Sequence, residues 1–398
     1  MVSATPLAGI TVVEIGHSVA APYAGMILAD LGADVIKVEN PNKGDYARGW
    51  GPPWWHGTSS AYQALNRNKR GVAVDLADPA AAARLRRLIL ERADVVLQNL
   101  RAGVAERYGL GTAALLAEKP ELICCNLGAF GDRGPLRDKP GYDPLMQAFG
   151  GLMSLTGEEG RPPVRVGVSM VDLAAGMWSA LGIIAALFAR RGDGKGGALE
   201  TSLYETMLAW MTIPIAGHLA SGEIRGRHGS GVAEIVPYQV FATRDGYLMI
   251  GAGNDNLFRR LCDALGEPGW AGDPRFATNG DRVVNRSVLI GMIEAAIARE
   301  DTATWMRRLD AVGVPNAPIQ HTGEVVAHPQ TRALEMIQPS PDGVLSLVGL
   351  PLTFDGTRPP LRRRSPTLGE HNEELLTPQD AASWDETMAQ QDAAPGRS

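Results

Sequence analysis

The sequence predicts an α/β fold: a doubly wound, Rossmann-like parallel sheet carrying a second, smaller α+β domain. Three observations predict it. Through the first half of the chain, short apolar runs of strand length alternate with longer runs of helical period. The first such unit, residues 9–40, is a compact β-α-β. After about residue 215 the alternation gives way to a Gly- and charge-rich stretch followed by a hairpin and helices.

Taken in order, "GITVVEIG" (9–16) is an apolar strand and "AAPYAGMILADLGA" (20–33) a helix ending near Gly32. "DVIKVEN" (34–40) is the second strand. Strand "GVAVDL" (71–76), helix "PAAAARLRRLILERA" (79–93) and strand "DVVLQNL" (94–100) follow. A helix around Thr112–Glu118 precedes strand "ELICCNLGAFG" (121–131). The apolar helix after Asp172 and strand "GALETSL" (197–203) extend the layer, with helices on both faces of parallel strands. "GEIRGRHGSGVAEIVP" (222–237) reads as a loop, "YQVFAT" and "GYLMIGAG" as a hairpin. "NDNLFRRLCDALG", "RSVLIGMIEAAIARE" and "DTATWMRRLDAVG" read as helices. The large domain is therefore expected at 1–221 with 330–398, and the small one at 222–329. "SLVGLPLTF" (346–354) is expected to return to the large domain as a strand, and the final "AQQDAAPGRS" to be a mobile tail. No internal repeat is visible.

Composition narrows the function. The chain has 398 residues, 45% hydrophobic and 21% charged, with a net charge of −6. An acidic balance argues against a nucleic-acid surface. The apolar run Met177–Ala189 is shorter than the roughly 20 residues of a bilayer span. The start of the chain shows no basic region followed by an apolar one, so no secretory leader is expected. Cys124 and Cys125 are adjacent, Cys262 is distant, and no zinc spacing exists. Reduced thiols and a cytoplasmic location are the expectation.

Several familiar chemistries drop out. The first β-α-β, with Glu39 ending its second strand, invites a dinucleotide reading. That reading needs G-x-G-x-x-G at the first turn. Here the turn is "GHSVAAP", where only Gly16 fits. Neither a phosphate loop nor a G-x-S-x-G elbow is present. His328 and His371 stand alone and read as solvated or core histidines.

One acid stands out. In "RVGVSMVDLAAGMWSALGIIAALFAR" (165–190), Asp172 interrupts an otherwise apolar helix start. It reads as an N-cap, which contributes about 1 kcal/mol, or as a functional group. Ser169 already offers a cap, and the neighbours Met170, Val171, Leu173 and Ala174 are apolar. Desolvation favours the neutral acid unless free amides or the helix dipole offset it. Held by such amides, a carboxylate is a nucleophile toward an activated acyl group. The cleft would lie at the carboxyl ends of the strands.

The blocks "PYAGMILADLGADVIKVENP", "NRNKRGVAVDL", "ADVVLQNLRAGVAERYGLG", "GYDPLMQAFGGLMSLTG", "VGVSMVDLAAGMWSALGIIAAL" and "RRGDGKGGALETSLYETML", in this order, resemble the class III CoA-transferase family. That family includes formyl-CoA and carnitine CoA-transferases and the α-methylacyl-CoA racemases. "GSGVAEIVPYQVFATRDGYLMIGAGN" looks closest to its succinate–hydroxymethylglutarate, dicarboxylate-handling branch.

The resemblance implies that Asp172 accepts the acyl group of a CoA thioester substrate, through an anhydride and then an aspartyl-CoA thioester. It implies no metal, no permanently bound cofactor, and an interlocked homodimer. Oxyanion donors are expected from the start of the Asp172 helix and from the glycine loop. It places His17, Ser18, Val19 and Ala20 at the thioester, and Asn99 near the pantetheine. Arg107 falls near the nucleotide phosphates, and Lys139 supplies another cation. Val74, Leu100 and Val104 complete the implied CoA contacts. Gly229, Ser230 and Gly231 match a lid that closes over the aspartate; the bland reading is an inter-domain linker. "WWHG" (54–57) reads as an acyl-pocket wall or as simple packing. Three departures stand out: Asn40, Ala77 and Val19 replace the Arg, Lys and Gln of formyl-CoA transferases. Adenine-end contacts are therefore expected from Arg48, Arg67 or Lys69.

A racemase is the alternative, and a non-catalytic CoA-binding homologue a third reading. Racemases carry a His at the position of Tyr142 and a Glu where Ala242 aligns. Tyr142 matches the transferases, so transfer is expected. Asp143 and Glu205 are the reserve acids.

Overall fold

The computed structural model describes residues 3–377; the expected tail "AQQDAAPGRS" lies outside the described residues. The chain forms two compact units. One comprises Met1–Met146, Val168–Ala209 and the described part of Leu334–Ser398; the other comprises Gln147–Gly167 and Trp210–Ala333.

The larger unit begins with β1 (Thr11–Ile15), α1 (Ala20–Asp30) and β2 (Asp34–Glu39). A small ribbon follows, β3 (Trp54–Trp55) against β4 (Thr58–Ser59), with His56 and Gly57 at its tip. Ser59 then caps α2 (Ser60–Asn66), accepting the Tyr62 amide at 3.0 Å. Next come β5 (Arg70–Ala73) and α3 (Pro79–Arg92), which opens on an Asp78 cap with proline in the first turn. β6 (Val95–Gln98), α4 (Val104–Arg107), α5 (Thr112–Glu118), β7 (Ile123–Gly128) and α6 (Asp143–Phe149) follow. α7 (Met170–Asp193) ends on left-handed Gly194; β8 (Gly197–Ser202) and α8 (Leu203–Trp210) complete the run.

Six strands form one all-parallel sheet in the order β5-β2-β1-β6-β7-β8. Counted among themselves they read 3-2-1-4-5-6, the order of a doubly wound sheet, whose switch point lies between β1 and β6. Side chains alternate between two cores. Val12, Val35, Leu97 and Cys125 face α1 and α7, while Val13, Ile36, Val96 and Cys124 face α3 and α5. The neighbouring cysteines thus lie on opposite faces of the sheet.

α1 and α7 pack side by side because Gly176 has no side chain. A Cβ there would lie 2.6 Å from the Ala20 carbonyl oxygen and 3.1 Å from the Ala24 amide. Further along, Ala24 and Leu28 share a core with Ala180, Ile183 and Leu187, so the helices run in the same direction. α7 has 24 residues, longer than the apolar run in the sequence, and is apolar enough by length and composition to cross a membrane. Its buried face packs on α1, β7 and β8 of the sheet.

The smaller unit contains α9 (Thr212–Ser221), the antiparallel hairpin β9 (Tyr238–Ala242) and β10 (Tyr247–Gly251), and α10 (Asp255–Leu265). α11 (Asn279–Val284), α12 (Arg286–Ile297) and α13 (Thr302–Ala311) follow, then β11 (Asn316–Pro318), which pairs with β10. α14 (Thr322–Ala327) and α15 (Pro329–Ala333) end it. Phe241, Leu248, Phe258, Ile293 and Trp305 form its core. The unit is larger than the expected 222–329. It begins at 210 and takes in 147–167, because the loop after α9 bonds to that segment: Arg227 donates to the Glu158 and Arg161 carbonyls.

"SLVGLPLTF" returns to the larger unit with a strand, as expected, but that strand does not join the parallel sheet. β12 (Ile337–Pro339) and β13 (Ser346–Val348) form their own ribbon in the larger unit. The open edge of β5 is met by His371 and Asn372, at the start of α16 (Asn372–Leu376). The Gly71 amide donates to His371 Nδ1 at 3.1 Å, and the Ala73 amide to Asn372 Oδ1 at 2.8 Å. His371 is therefore a half-buried strand-edge partner; His328 is exposed, as expected.

Candidate active site

The first turn sits at the switch point. The Asn99 side chain accepts from the His17 amide and donates to the His17 carbonyl, each at 3.0 Å. The residue leaving β6 thus holds the residue leaving β1. Ser18 takes a left-handed backbone (φ +69), rare for a residue with a side chain. Its amide donates to Asp45 Oδ1 at 2.8 Å, which keeps the turn in that shape. Burial lowers the His17 pKa, against the charge of Asp45, so the ring is neutral at pH 7. Val19 and Ala20 are buried, and Ala20 begins α1.

Beneath the turn lies a buried charge network that sequence reasoning missed. Glu14 and Lys37 are direct partners on β1 and β2 and meet at 3.1 Å, both fully buried. Lys37 also reaches Asp45 at 2.8 Å and donates to the Gly16 carbonyl at 3.0 Å. The second Glu14 oxygen pairs with buried Lys69 at 2.7 Å. Burial works to lower the Lys37 pKa, but Asp45 and Glu14 outweigh it and raise the pKa. Lys69, with fewer anions nearby, is pushed by burial down to about 8. Burial likewise works to raise the Asp45 pKa, but Lys37 and the Ser18 and Ala47 amides hold it low.

This arrangement overturns the expected adenine contacts. Lys69 is fully buried and also bonded to the Pro22 carbonyl and Asn66. Arg48 forms a bidentate pair with Glu39, and Arg67 a buried pair with Asp30. Each cation is already matched in charge and geometry within the fold.

Asp172 lies in the first turn of α7, three residues after Ser169. Both capping expectations fail. Asp172 is inside the helix, and the Ser169 side chain makes no cap bond. The cap comes from Asp143 at the start of α6, whose Oδ2 accepts the Val171 amide at 2.7 Å and the Asp172 amide at 3.4 Å. The Met170 and Leu173 amides donate to the Val168 and Ser169 carbonyls. All four amides are engaged, so the expected oxyanion donors at this helix start are not available. Among the described residues none donates to the Asp172 carboxyl. Burial, and then the Asp143 charge, push its pKa up to about 7. It is therefore not held ionised by amides, as the sequence suggested. One turn on, Gly176 touches Ala20; one turn back along each helix come Asp172 and the His17–Ser18 turn. The parallel helices thus bring these two features to the same level.

The remaining implied residues of the larger unit follow the carboxyl ends of its strands. Val74 follows β5 and is buried, Leu100 follows β6 and is half-buried, and Val104 opens α4. Arg107 ends α4 and is exposed. Lys139 is exposed, its ammonium 5.8 Å from the Phe130 ring centre. The Tyr142 ring is 56% exposed, immediately before Asp143. In the smaller unit, Gly229 has φ +61 and donates its amide to the Gly157 carbonyl at 2.9 Å. Ser230 accepts from the Val240 amide at 3.0 Å, and the Gly231 amide donates to the His228 carbonyl at 2.9 Å. This turn is stapled to its neighbours rather than a bare linker.

Of the missed residues, Glu14 and Lys37 carried a signal: single charges inside apolar strands. Asp143 was singled out only as a reserve acid; its capping role carried no signal, because the amides it caps are 28 and 29 residues away.

Known proteins similar to this chain identify its family. The profile described as CoA-transferase family III matches residues 7–372. A succinate–glutarate CoA-transferase of Agrobacterium fabrum is 37% identical over 93% of this chain and 95% of its own length. A succinyl-CoA–D-citramalate CoA-transferase of Chloroflexus aurantiacus is 36% identical over 94% and 93%. Among solved structures, a CAIB/BAIF family protein from Brucella suis superposes with a TM-score of 0.85 at 38% identity, covering 93% of this chain and 98% of that one. By its profile match and by relatives alike along nearly their whole length, the chain belongs to CoA-transferase family III.

Proposed function

We propose that this enzyme moves CoA from an acyl-CoA such as succinyl-CoA to a small dicarboxylic acid, with Asp172 as the acyl acceptor. The observation that carries the reading is Asp172 itself: a half-buried carboxyl, pushed up to about 7, level with the His17–Ser18 turn. A desolvated, more basic carboxylate is a better nucleophile than a solvated one. The dicarboxylate class is supported by the relatives named for succinate, glutarate and citramalate.

In this mechanism the Asp172 carboxylate attacks the thioester carbonyl, forming a mixed anhydride and releasing CoA thiolate. The thiolate attacks the aspartyl carbonyl, giving aspartyl-CoA and the free donor acid. The acceptor carboxylate displaces CoA thiolate to form a second anhydride. Thiolate attack on the acceptor carbonyl then yields the new acyl-CoA and restores Asp172. Since the α7 amides are engaged, the oxyanion donors in this scheme come from the His17–Ala20 turn or the glycine turn. Asn99, Leu100, Val74, Val104, Arg107 and Lys139 are proposed CoA contacts. Gly229–Gly231 is the proposed lid, and Tyr142 a substrate contact; these assignments rest on the family resemblance.

Racemisation is not favoured, because Tyr142 and Ala242 supply no acid–base pair at the α-carbon. We also propose a homodimer, supported by Met177, Trp178, Leu181 and Phe188 of α7, which are 47–76% exposed in the single chain. Three buried, unpaired thiols support a cytoplasmic location.

The test is an incubation in deuterated buffer with succinyl-CoA and a pool of mono- and dicarboxylates, with 2-methylacyl-CoA in parallel. Mass spectrometry reads every thioester. A new, undeuterated dicarboxyl-CoA is expected. Deuterium at the α-carbon without a new thioester would overturn transfer in favour of racemisation.

A further inference from the structure

We propose that Asp143 is the positioning residue of this site: its buried carboxylate caps α7 and thereby fixes where Asp172 points. The inference rests on the reading of Asp172 as the acyl acceptor.

The first turn of α7 has a serine at the cap position that does not cap. Ser169 has φ −75 and ψ 63, away from the extended backbone of capping residues, and its hydroxyl makes no bond to the turn. Asp143 takes over from a different element. One carboxylate oxygen lies 2.7 Å from the Val171 amide and 3.4 Å from the Asp172 amide. An anion there also meets the positive end of a 24-residue helix.

Asp143 is itself anchored. It is 2% exposed. The Leu145 and Met146 amides donate to the Tyr142 carbonyl at 3.0 and 3.1 Å, closing the turn that presents it. Gly141 lets that turn settle on the exit of β7: a Cβ there would meet Met146 Cε at 2.1 Å and Ala129 Cβ at 3.0 Å. The cap is thus tied to the sheet. The bonds to the Val171 and Asp172 amides fix the main chain from which the Asp172 side chain projects.

The same geometry removes Asp143 as a reserve nucleophile. Its carboxylate is buried against amides, whereas Asp172 receives no hydrogen bond from the described residues. The titratable groups packed on this part of α7 are few. Asp143 acts on Asp172 from α6. Tyr23 of α1 lies against Gly176. Cys125 of β7 meets Ser179, two turns on. Among the described residues only Asp143 places a negative charge beside Asp172, and it adds to burial in holding that carboxyl near 7.

The test uses the full chain with Asp143→Ala, Asp143→Asn and Ser169→Ala. Transfer kinetics across pH are combined with a 13C-carboxyl titration of Asp172, its signal assigned by its loss in Asp172→Asn. Asp143→Ala is expected to lower kcat about 100-fold, with KM for acyl-CoA changed less than about threefold, as for lost orientation. Asp143→Asn keeps an acceptor for the amides. It is expected to recover kcat to within about tenfold of the parent while Asp172 titrates at lower pH. Ser169→Ala is expected to change neither. A folded Asp143→Ala enzyme with unchanged kcat overturns the proposal. So does an Asp172 titration that does not move in Asp143→Asn, a readout that remains if Asp143→Ala does not fold. A parent enzyme that transfers CoA to no acid sinks the functional reading instead, and the titration still decides whether Asp143 governs Asp172.

Discussion

Asn99 and His17 are joined by a reciprocal pair of 3.0 Å hydrogen bonds, side chain to main chain, across the switch point of the sheet. The pair ties the exit of β6 to the exit of β1 and presents Ser18 in its left-handed conformation. Asn99→Ala removes both bonds and leaves two half-buried main-chain groups unpaired, at about 1–3 kcal/mol. Urea unfolding is expected to show that loss, and kcat/KM for acyl-CoA to fall with it. Wild-type stability together with wild-type kinetics would mean the turn is held without Asn99.

The raised Asp172 pKa has two consequences of fixed sign. In the proposed mechanism attack requires the carboxylate, so kcat/KM is expected to rise with pH and level off above about 7. Folding is affected in the opposite sense. Below about pH 4 the acid is protonated in both folded and unfolded chains and opposes nothing. From about 4 to 7 the unfolded chain ionises first, and the penalty grows. Asp172→Asn is therefore expected to abolish transfer, to spare CoA binding, and to melt higher than the parent at pH 8 but not at pH 4. Substantial residual transfer by the folded variant would remove Asp172 from the chemistry.

Glu14 bridges Lys37 and Lys69 in a fully buried network. Glu14→Gln leaves two buried ammonium groups without their shared counter-charge. Breaking one partner of such a pair costs about 3–5 kcal/mol. Chemical denaturation is expected to show a loss of that size. A cost below about 1 kcal/mol would mean that Asp45 alone satisfies the lysines.

Gly176 sets the distance between α1 and α7. In Gly176→Ala the new methyl would stand 2.6 Å from a main-chain oxygen, which cannot rotate away. Overpacking of this kind costs about 1–3 kcal/mol. Because the displaced helices carry Asp172 and the His17 turn, kcat is expected to fall more than KM changes. Wild-type kcat in this variant would mean that the two features act at a distance that tolerates movement.

The exposed apolar face of α7 is expected to be covered in solution. Leu181→Glu with Phe188→Glu puts two charges on that face, and light scattering should then report a monomer where the parent is a dimer. A parent monomer, or a dimer untouched by these charges, would rule out this face as the contact.

Much was legible from residue order alone. The apolar strands and the helices between them appear where expected, because each is fixed by a local run of apolar residues or a helical period and by Gly, Pro and Asp at its ends. Asp172 was legible for a related reason: an acid among apolar neighbours is conspicuous in one dimension. Family membership was legible because several blocks recur in series.

Tertiary structure alone decided what surrounds those residues. Glu14, Lys37, Asp45 and Lys69 lie up to 55 positions apart in sequence and meet only when β1 and β2 pair in register. The capping of α7 passed from Ser169, its sequence neighbour, to Asp143 on another element, because a hydrogen bond selects proximity and angle rather than chain position. The Asp172 pKa follows from the same fact: burial and a neighbouring charge are properties of three-dimensional surroundings. Sequence singled out Asp172; packing decided its burial, the charge beside it and the engagement of the amides at the start of its helix.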